Sequence, residues 1–160
     1  MNNPSDTPRS FPLSERLAQM QNEIGKARQS EWLLIDQDMI DSFAEVTRDE
    51  QFIHIDPQRA TATPFGGTIA HGFLMLSLLS YLMSPDSPPE GIKMGVNYGF
   101  DRIRFIAPVR SGSRIRAVSE LKAVDEKKPG QFEYIHNVLI EIEGQDPPAL
   151  QAQWITQAFF

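Results

Sequence analysis

The chain has 160 residues, 41% of them hydrophobic and 22% charged, with 15 Lys+Arg against 21 Asp+Glu and a net charge of −6. That length suits one domain with its own core, and the acidic balance gives no general attraction for nucleic acid or an anionic membrane. Cysteine is absent, which excludes disulfide scaffolds, zinc–thiolate sites, iron–sulfur clusters and cysteine nucleophiles and is consistent with a reducing cytoplasm.

The N-terminus reads MNNPSDTPRSF, with two prolines and no apolar run. It predicts a flexible lead-in over residues 1–12 rather than a secretory signal, and leaves residues 13–160 as a single domain. Leu13, Leu17, Met20 and Ile24 fall near helical spacing and predict a helix over Leu13–Ile24. Trp32 to Ile35 is a short apolar run, read as a strand within Glu31–Asp36. Asp38 stands where an N-cap would open a helix over Met39–Thr47, whose Ile40, Phe43, Ala44 and Thr47 share one face. Asp56-Pro57 predicts a further helix start.

Pro64-Phe65-Gly66-Gly67-Thr68 is loop chemistry, and Ile69–Ser84 then runs without a charged residue up to Pro85. As a helix it would be about 24 Å long at 1.5 Å per residue. It is apolar nearly all round, which predicts burial on most sides. Only Ser77, Ser80 and Ser84 form a thin polar stripe. The apolar part is too short to cross a bilayer, which needs about 20 residues.

Beyond it, Lys93–Phe105, Ser113–Asp125, Gln131–Glu143 and Leu150–Phe160 have strand length and are separated by turns such as Lys127-Lys128-Pro129-Gly130. In the third, Phe132, Tyr134, His136, Val138, Ile140 and Ile142 alternate with a more polar set. Helices followed by antiparallel strands give an α+β class, and a sheet curled around the apolar helix would hide it.

Two stretches hold candidate chemistry. In FAEVTRDEQFIHID, Asp49 and His54 lie five residues apart. A carboxylate beside an imidazole can hold and polarise one water, one group accepting a proton and the other donating. Spacing alone does not separate this from an ordinary loop pair. In PFGGTIAHGFLMLSLLS, Gly72 opens the apolar helix. Backbone N–H groups there lack intrahelical partners and could polarise a carbonyl oxygen, or the glycine could simply permit close packing. His71 reads either as an acid or ligand, or as a hydrogen-bonded structural histidine. Ser80 reads either as a ligand contact or as a small packing residue.

Together, in this order, the two stretches resemble the MaoC-like (R)-specific enoyl-CoA hydratases. FAEVTRDEQFIHIDP resembles their hydratase motif, and IAHGFLMLSLLS the start of their central helix. GVNYG at 95–99 and RFIAPV at 104–109 resemble the family's first long strand and its exit. The similarity runs from Trp32 to Phe160 and is closest to the nodulation protein N-like dehydratases, which also carry Gln-Phe in place of Asn-Pro. The resemblance implies a hotdog fold, an antiparallel sheet wrapped around a long central helix. It implies a homodimer with joined sheets and sites near the subunit boundary, acting on acyl-CoA or acyl-carrier-protein thioesters of fatty acid metabolism. The missing signal segment, membrane span and cysteine predict a cytoplasmic protein.

Carried over by position, the resemblance makes Asp49 and His54 the catalytic pair. Gly72 gives its N–H to the thioester carbonyl, and Ser80 is a serine that bonds near the pair. No metal or redox cofactor is implied. Arg48 stands in place of a glycine before Asp49, which implies ordinary backbone angles there. The residues alone add one feature: Arg102, Arg104, Arg110, Arg114 and Arg116 fall in a 15-residue window without an acid. They form either a solvated face or a site for the phosphates of CoA or phosphopantetheine. Two other functions share the thioester. A hotdog thioesterase would need an acid on or near the central helix, and none lies between Ala60 and Pro85. A non-catalytic acyl-binding module would have no use for an Asp/His pair.

Overall fold

In a computed structural model, residues 12–85 and 89–160 are described, and the predicted lead-in lies almost wholly outside them. In chain order they form α1 (Leu13–Gln21), β1 (Ala27–Gln29), β2 (Leu33–Ile35), α2 (Gln37–Thr47), α3 (Phe52–Ile55), α4 (Pro57–Thr61), α5 (Gly72–Leu82), β3 (Met94–Phe105), β4 (Ser113–Lys128), β5 (Gln131–Ile142) and β6 (Leu150–Phe159). The strands make one antiparallel sheet in the order β1-β4-β5-β6-β3, with β2 also paired to β4. Ile115, Ala117, Val138, Ile140, Leu150 and Ala152 come from its inner face, and α5 packs Leu74, Met75, Leu79 and Leu82 among them. This is the hotdog arrangement that the resemblance implied, and it agrees with a sheet curled around the apolar helix.

Several boundaries differ from the sequence reading. α1 ends at Gln21 rather than Ile24. β1 was not foreseen, because Ala27–Gln29 is exposed throughout and shows no alternation. The N-cap of α2 is Asp36, not Asp38: its Oδ1 accepts the Met39 N–H at 2.9 Å. Asp56 caps α4 as expected, accepting the Arg59 N–H at 3.0 Å.

The central helix is the main correction. α5 has 11 residues, or about 16 Å, rather than the length of Ile69–Ser84. Ile69 and Ala70 are extended instead. Ile69 bridges Arg110, and the Ala70 N–H donates to the Val109 carbonyl at 2.7 Å. That pairing satisfies the backbone, so the helix starts only at Gly72. Nor is α5 buried on most sides. Phe73, Ser77, Ser80 and Tyr81 lie along one exposed stripe, which is where the predicted serine stripe falls. Beside it, β3 is an end strand whose Met94, Val96, Tyr98 and Phe105 are also exposed.

Candidate active site

Asp49 leaves the C-terminus of α2 through Arg48, whose φ of 63° and ψ of 19° are left-handed. The sequence implied ordinary angles at this position, and the structure corrects that. The backbone keeps the conformation a glycine would favour, at a cost of roughly 1 kcal/mol for a residue with a Cβ. Gln51 then caps α3. Its carbonyl accepts the His54 N–H at 2.9 Å, and its side-chain amide reaches Asp49 Oδ1 at 3.3 Å. Phe52 opens α3 and lies under the Arg59 guanidinium, 4.3 Å from the ring centroid. This packing takes the place of the rigidity a proline would give.

The short helix α3 is laced to the strand-like segment before α5. The Ile69 N–H donates to the Ile53 carbonyl at 3.0 Å, and His54 Nδ1 lies 2.7 Å from the Ile69 carbonyl oxygen. A carbonyl only accepts, so Nδ1 carries the proton and neutral His54 presents Nε2 as an acceptor. Gln37 anchors the same region from α2. Its amide donates to the His54 carbonyl at 2.7 Å and its oxygen accepts from the Thr68 hydroxyl. Burial pushes the His54 imidazole below its usual value of 6.5 and the neighbouring His71 ring adds to this, against the opposing effects of the Ile69 bond and the Asp49 carboxylate.

His71, the N-cap of α5, completes the cluster. Its ring stacks on His54 with centroids 3.7 Å apart, and its Nε2–H donates to the Asp49 carbonyl at 2.9 Å. It is 2% exposed. Side-chain ligand atoms of Asp49, His54 and His71 all lie within 4.8 Å of one another. Two of the four imidazole nitrogens are already used on carbonyls. His54 Nε2 and His71 Nδ1 remain, the latter buried without a partner among the described residues, and the Asp49 carboxylate with His54 Nε2 can hold a water between two acceptors.

Directly after His71, the N–H groups of Gly72 and Phe73 have no hydrogen-bond partner among the described residues. They open an 11-residue helix, so the positive dipole end faces the region of the cluster. The packing reading of Gly72 also holds. A Cβ there would stand 2.9 Å from Phe105 Cδ1.

Asp49 and His54 are therefore brought together, and Gly72 follows His71 directly in the chain. His71 was left open there; its tie to Asp49 is a fold contact that spacing does not reveal. Ser80 is elsewhere. It lies eight residues beyond Gly72, about 12 Å along the helix, and its Oγ accepts from the Asn97 amide at 3.2 Å. The five arginines do not form one patch. Arg114 pairs with Glu143 at 3.2 Å and Arg116 with Glu141 at 2.7 Å. Arg102, Arg104 and Arg110 are exposed and form no ion pair among the described residues.

The family described as MaoC like domain matches residues 19–141. The chain belongs to the MaoC-like dehydratase family. It is 50% identical over 133 residues to nodulation protein N of Rhizobium meliloti, covering 82% of this chain and 83% of that one. It is 43% identical to 3-hydroxyacyl-thioester dehydratase Z of Mycobacterium tuberculosis over 82% of this chain and 87% of that one. Among solved structures, the (R)-hydratase from Aeromonas caviae superposes with a TM-score of 0.70 at 26% identity, covering 84% of this chain and 95% of that one. The MaoC-like fold thus agrees with the sheet and helix described above. No helix among the described residues is long and apolar enough to cross a membrane.

Proposed function

We propose that the protein adds water to trans-2-enoyl thioesters, giving (R)-3-hydroxyacyl thioesters, or removes it in the reverse direction. The observation that carries this is the Asp49–His54–His71 cluster beside the unbonded N–H groups of α5. The relatives named as a 3-hydroxyacyl-thioester dehydratase and an (R)-specific enoyl-CoA hydratase support it.

In the hydration direction, Asp49 and His54 hold one water. Its oxygen bonds to the β-carbon while one proton passes to the pair. The electrons of the double bond shift towards the thioester, and the Gly72 N–H meets the negative charge gathering on the carbonyl oxygen. The pair then returns a proton to the α-carbon, so the net change is one water added. Base and acid are roles of the pair rather than of one residue.

The protein acts as a homodimer in this reading. Among the described residues β3 is the end strand of the sheet, next to the exposed stripe of α5, and a two-fold dimer closed through both would bury Phe73, Tyr81, Met94 and Tyr98. A two-fold axis across that edge pairs β3 with its copy antiparallel, so the two α5 helices also run antiparallel. Ser80 of one subunit then lies towards the Gly72 end of the other, which accounts for its distance from the pair in its own chain. A monomer in sedimentation under assay conditions would remove this part of the reading.

Crotonyl-CoA tests the reaction. Loss of the enoyl absorbance without thiol release is expected. Thiol release would mean a thioesterase, and binding without either change an acyl-binding module.

Two predictions follow from the site. His54 must be neutral to accept a proton through Nε2, and burial holds its imidazole below 6.5. Hydration kcat/KM should therefore fall on the acid side with a midpoint below 6.5, since a depressed imidazole is protonated only at lower pH. A midpoint above 7 would contradict the assignment. For the phosphates of CoA, Arg102, Arg104 and Arg110 remain available. A charge-assisted bond to phosphate is worth roughly 1.5–3 kcal/mol before solvent screening. At least one of the three, changed to Ala, should raise KM for crotonyl-CoA several-fold with kcat little changed. The effect should shrink for a pantetheine thioester lacking the nucleotide, and unchanged KM in all three would place the phosphate site elsewhere.

A further inference from the structure

Pro57 removes two hydrogen bonds that would close the short helix α3. Having no N–H, it cannot donate to the carbonyl of Ile53, four residues before it, or of His54, three before it. The Ile53 carbonyl takes the Ile69 N–H instead, at 3.0 Å. The His54 carbonyl accepts no backbone N–H among the described residues, and a side chain meets it: the Gln37 amide donates to it at 2.7 Å. Gln37 is the first residue of α2, 17 positions earlier in the chain.

Every polar atom of the Gln37 amide is engaged. Nε2 also donates to Asp41 Oδ1 at 2.8 Å, and Oε1 accepts from the hydroxyl of Thr68, a residue only 5% exposed. A flipped amide would set its oxygen against the His54 carbonyl and the Asp41 carboxylate, acceptors facing an acceptor, so the orientation is fixed. Thr68 immediately precedes Ile69, whose carbonyl oxygen lies 2.7 Å from His54 Nδ1. One side chain thus holds both the backbone of His54 and the residue next to the acceptor of its ring. The Ile69–Ile53 bond ties the same two segments through the backbone, and Gln37 adds the contact made at His54 itself. The spacing of ring and acceptor matters, because in a neutral imidazole the hydrogen bond made by one nitrogen decides which of the two carries the proton. A proton on Nδ1 leaves Nε2 as the acceptor that hydration needs.

We infer that Gln37, backed by Thr68, is a positioning residue that holds His54 in the Nδ1–H tautomer and so keeps Nε2 free to accept a proton from water. The inference rests on the hydratase reading and goes beyond it by naming the side chain that sets which nitrogen acts. Gln37 touches neither water nor substrate. Without it the His54 carbonyl loses its partner, α3 shifts against Ile69, and part of the population carries the proton on Nε2, where the ring cannot serve as base. Turnover falls with that fraction, and substrate binding is untouched.

The test pairs kinetics with ¹⁵N NMR of the ring nitrogens, which the chain's three histidines keep simple. Gln37→Met keeps the length of the side chain and removes its polar atoms. It should lower kcat for crotonyl-CoA about tenfold, short of the roughly hundredfold expected for losing the base, with KM within about twofold. Long-range ¹H–¹⁵N correlation at neutral pH should show His54 protonated at Nδ1 in wild type, with its nitrogen shifts moved towards the Nε2–H form in the variant. The His54→Asn spectrum assigns the signal. Thr68→Val removes the hydroxyl and should move both readouts the same way by less, while Thr68→Ser should restore both. This pair stands in if Gln37→Met does not fold. Wild-type kcat in the folded variants, a kcat loss with an unchanged tautomer, or a rise in KM alone would overturn the inference, as would an Nε2–H ring in wild type. If wild type hydrates no enoyl thioester, the reaction assignment fails and the spectra decide alone. A shifted tautomer in Gln37→Met then keeps Gln37 as the group that sets His54, and an unshifted one overturns it.

Discussion

Asp49→Asn and His54→Ala should each lower the hydration of crotonyl-CoA by at least about a hundredfold, the low end of what general acid–base groups supply. Each change removes one of the two acceptors that hold the water. Asn keeps the shape of Asp49 and its 3.3 Å contact with Gln51 in reach, so the loss reports charge rather than folding. His54→Ala also deletes the bond to the Ile69 carbonyl, and part of its effect could be structural. His54→Asn separates the two causes: its amide can still reach that carbonyl, but nothing replaces Nε2. It should be as inactive as His54→Ala. The double mutant Asp49→Asn/His54→Ala should lose little more than either single one, because groups acting as a unit are not additive. Near-normal turnover in a folded single mutant would contradict the shared water, and full additivity would mean that the two act in separate steps.

His71→Phe should lower kcat about tenfold while KM for crotonyl-CoA changes much less. The phenyl ring preserves a flat partner for His54, whose stacking distance is 3.7 Å. What disappears is the 2.9 Å bond that fixes the Asp49 carbonyl. One such bond is worth roughly 0.5–1.5 kcal/mol net, and a factor of ten is about 1.4 kcal/mol. His71 touches neither water nor substrate in this account, and acts by positioning Asp49. The acid limb of the pH profile should therefore survive in His71→Phe, shifted upward slightly, because the second imidazole contributes to the depression of His54. A loss as large as that of the Asp49 or His54 variants would mean that His71 takes part in proton transfer itself.

The strands of the second half were legible because alternation survives burial: Phe132, Val138, Ile140 and Ile142 are buried as their positions in β5 required. Tyr134 and His136 were read as members of the same face. They are half-buried because they line an open cavity between α1 and the sheet. The start of α5 was misjudged because an apolar run gives no period by which to separate strand from helix. Only the pairing of Ile69–Ala70 with Val109–Arg110 decides it, and that contact is distant in sequence. Asp49 and His54 were legible through motif and order. The tie from His71 to Asp49 spans 22 positions and was not. Charge spacing misled in the arginine window, since the acids that pair with Arg114 and Arg116 come from the neighbouring strand β5 and the turn after it.

The stereochemistry of the product tests the central claim most directly. Crotonyl-CoA is incubated with wild type and with Asp49→Asn, and the 3-hydroxybutyryl-CoA formed is resolved on a chiral phase. The account predicts (R)-3-hydroxybutyryl-CoA from wild type and almost none from the variant, because one pair of groups delivers water to one face of the double bond. An (S) product, or a product formed equally well by Asp49→Asn, would contradict it.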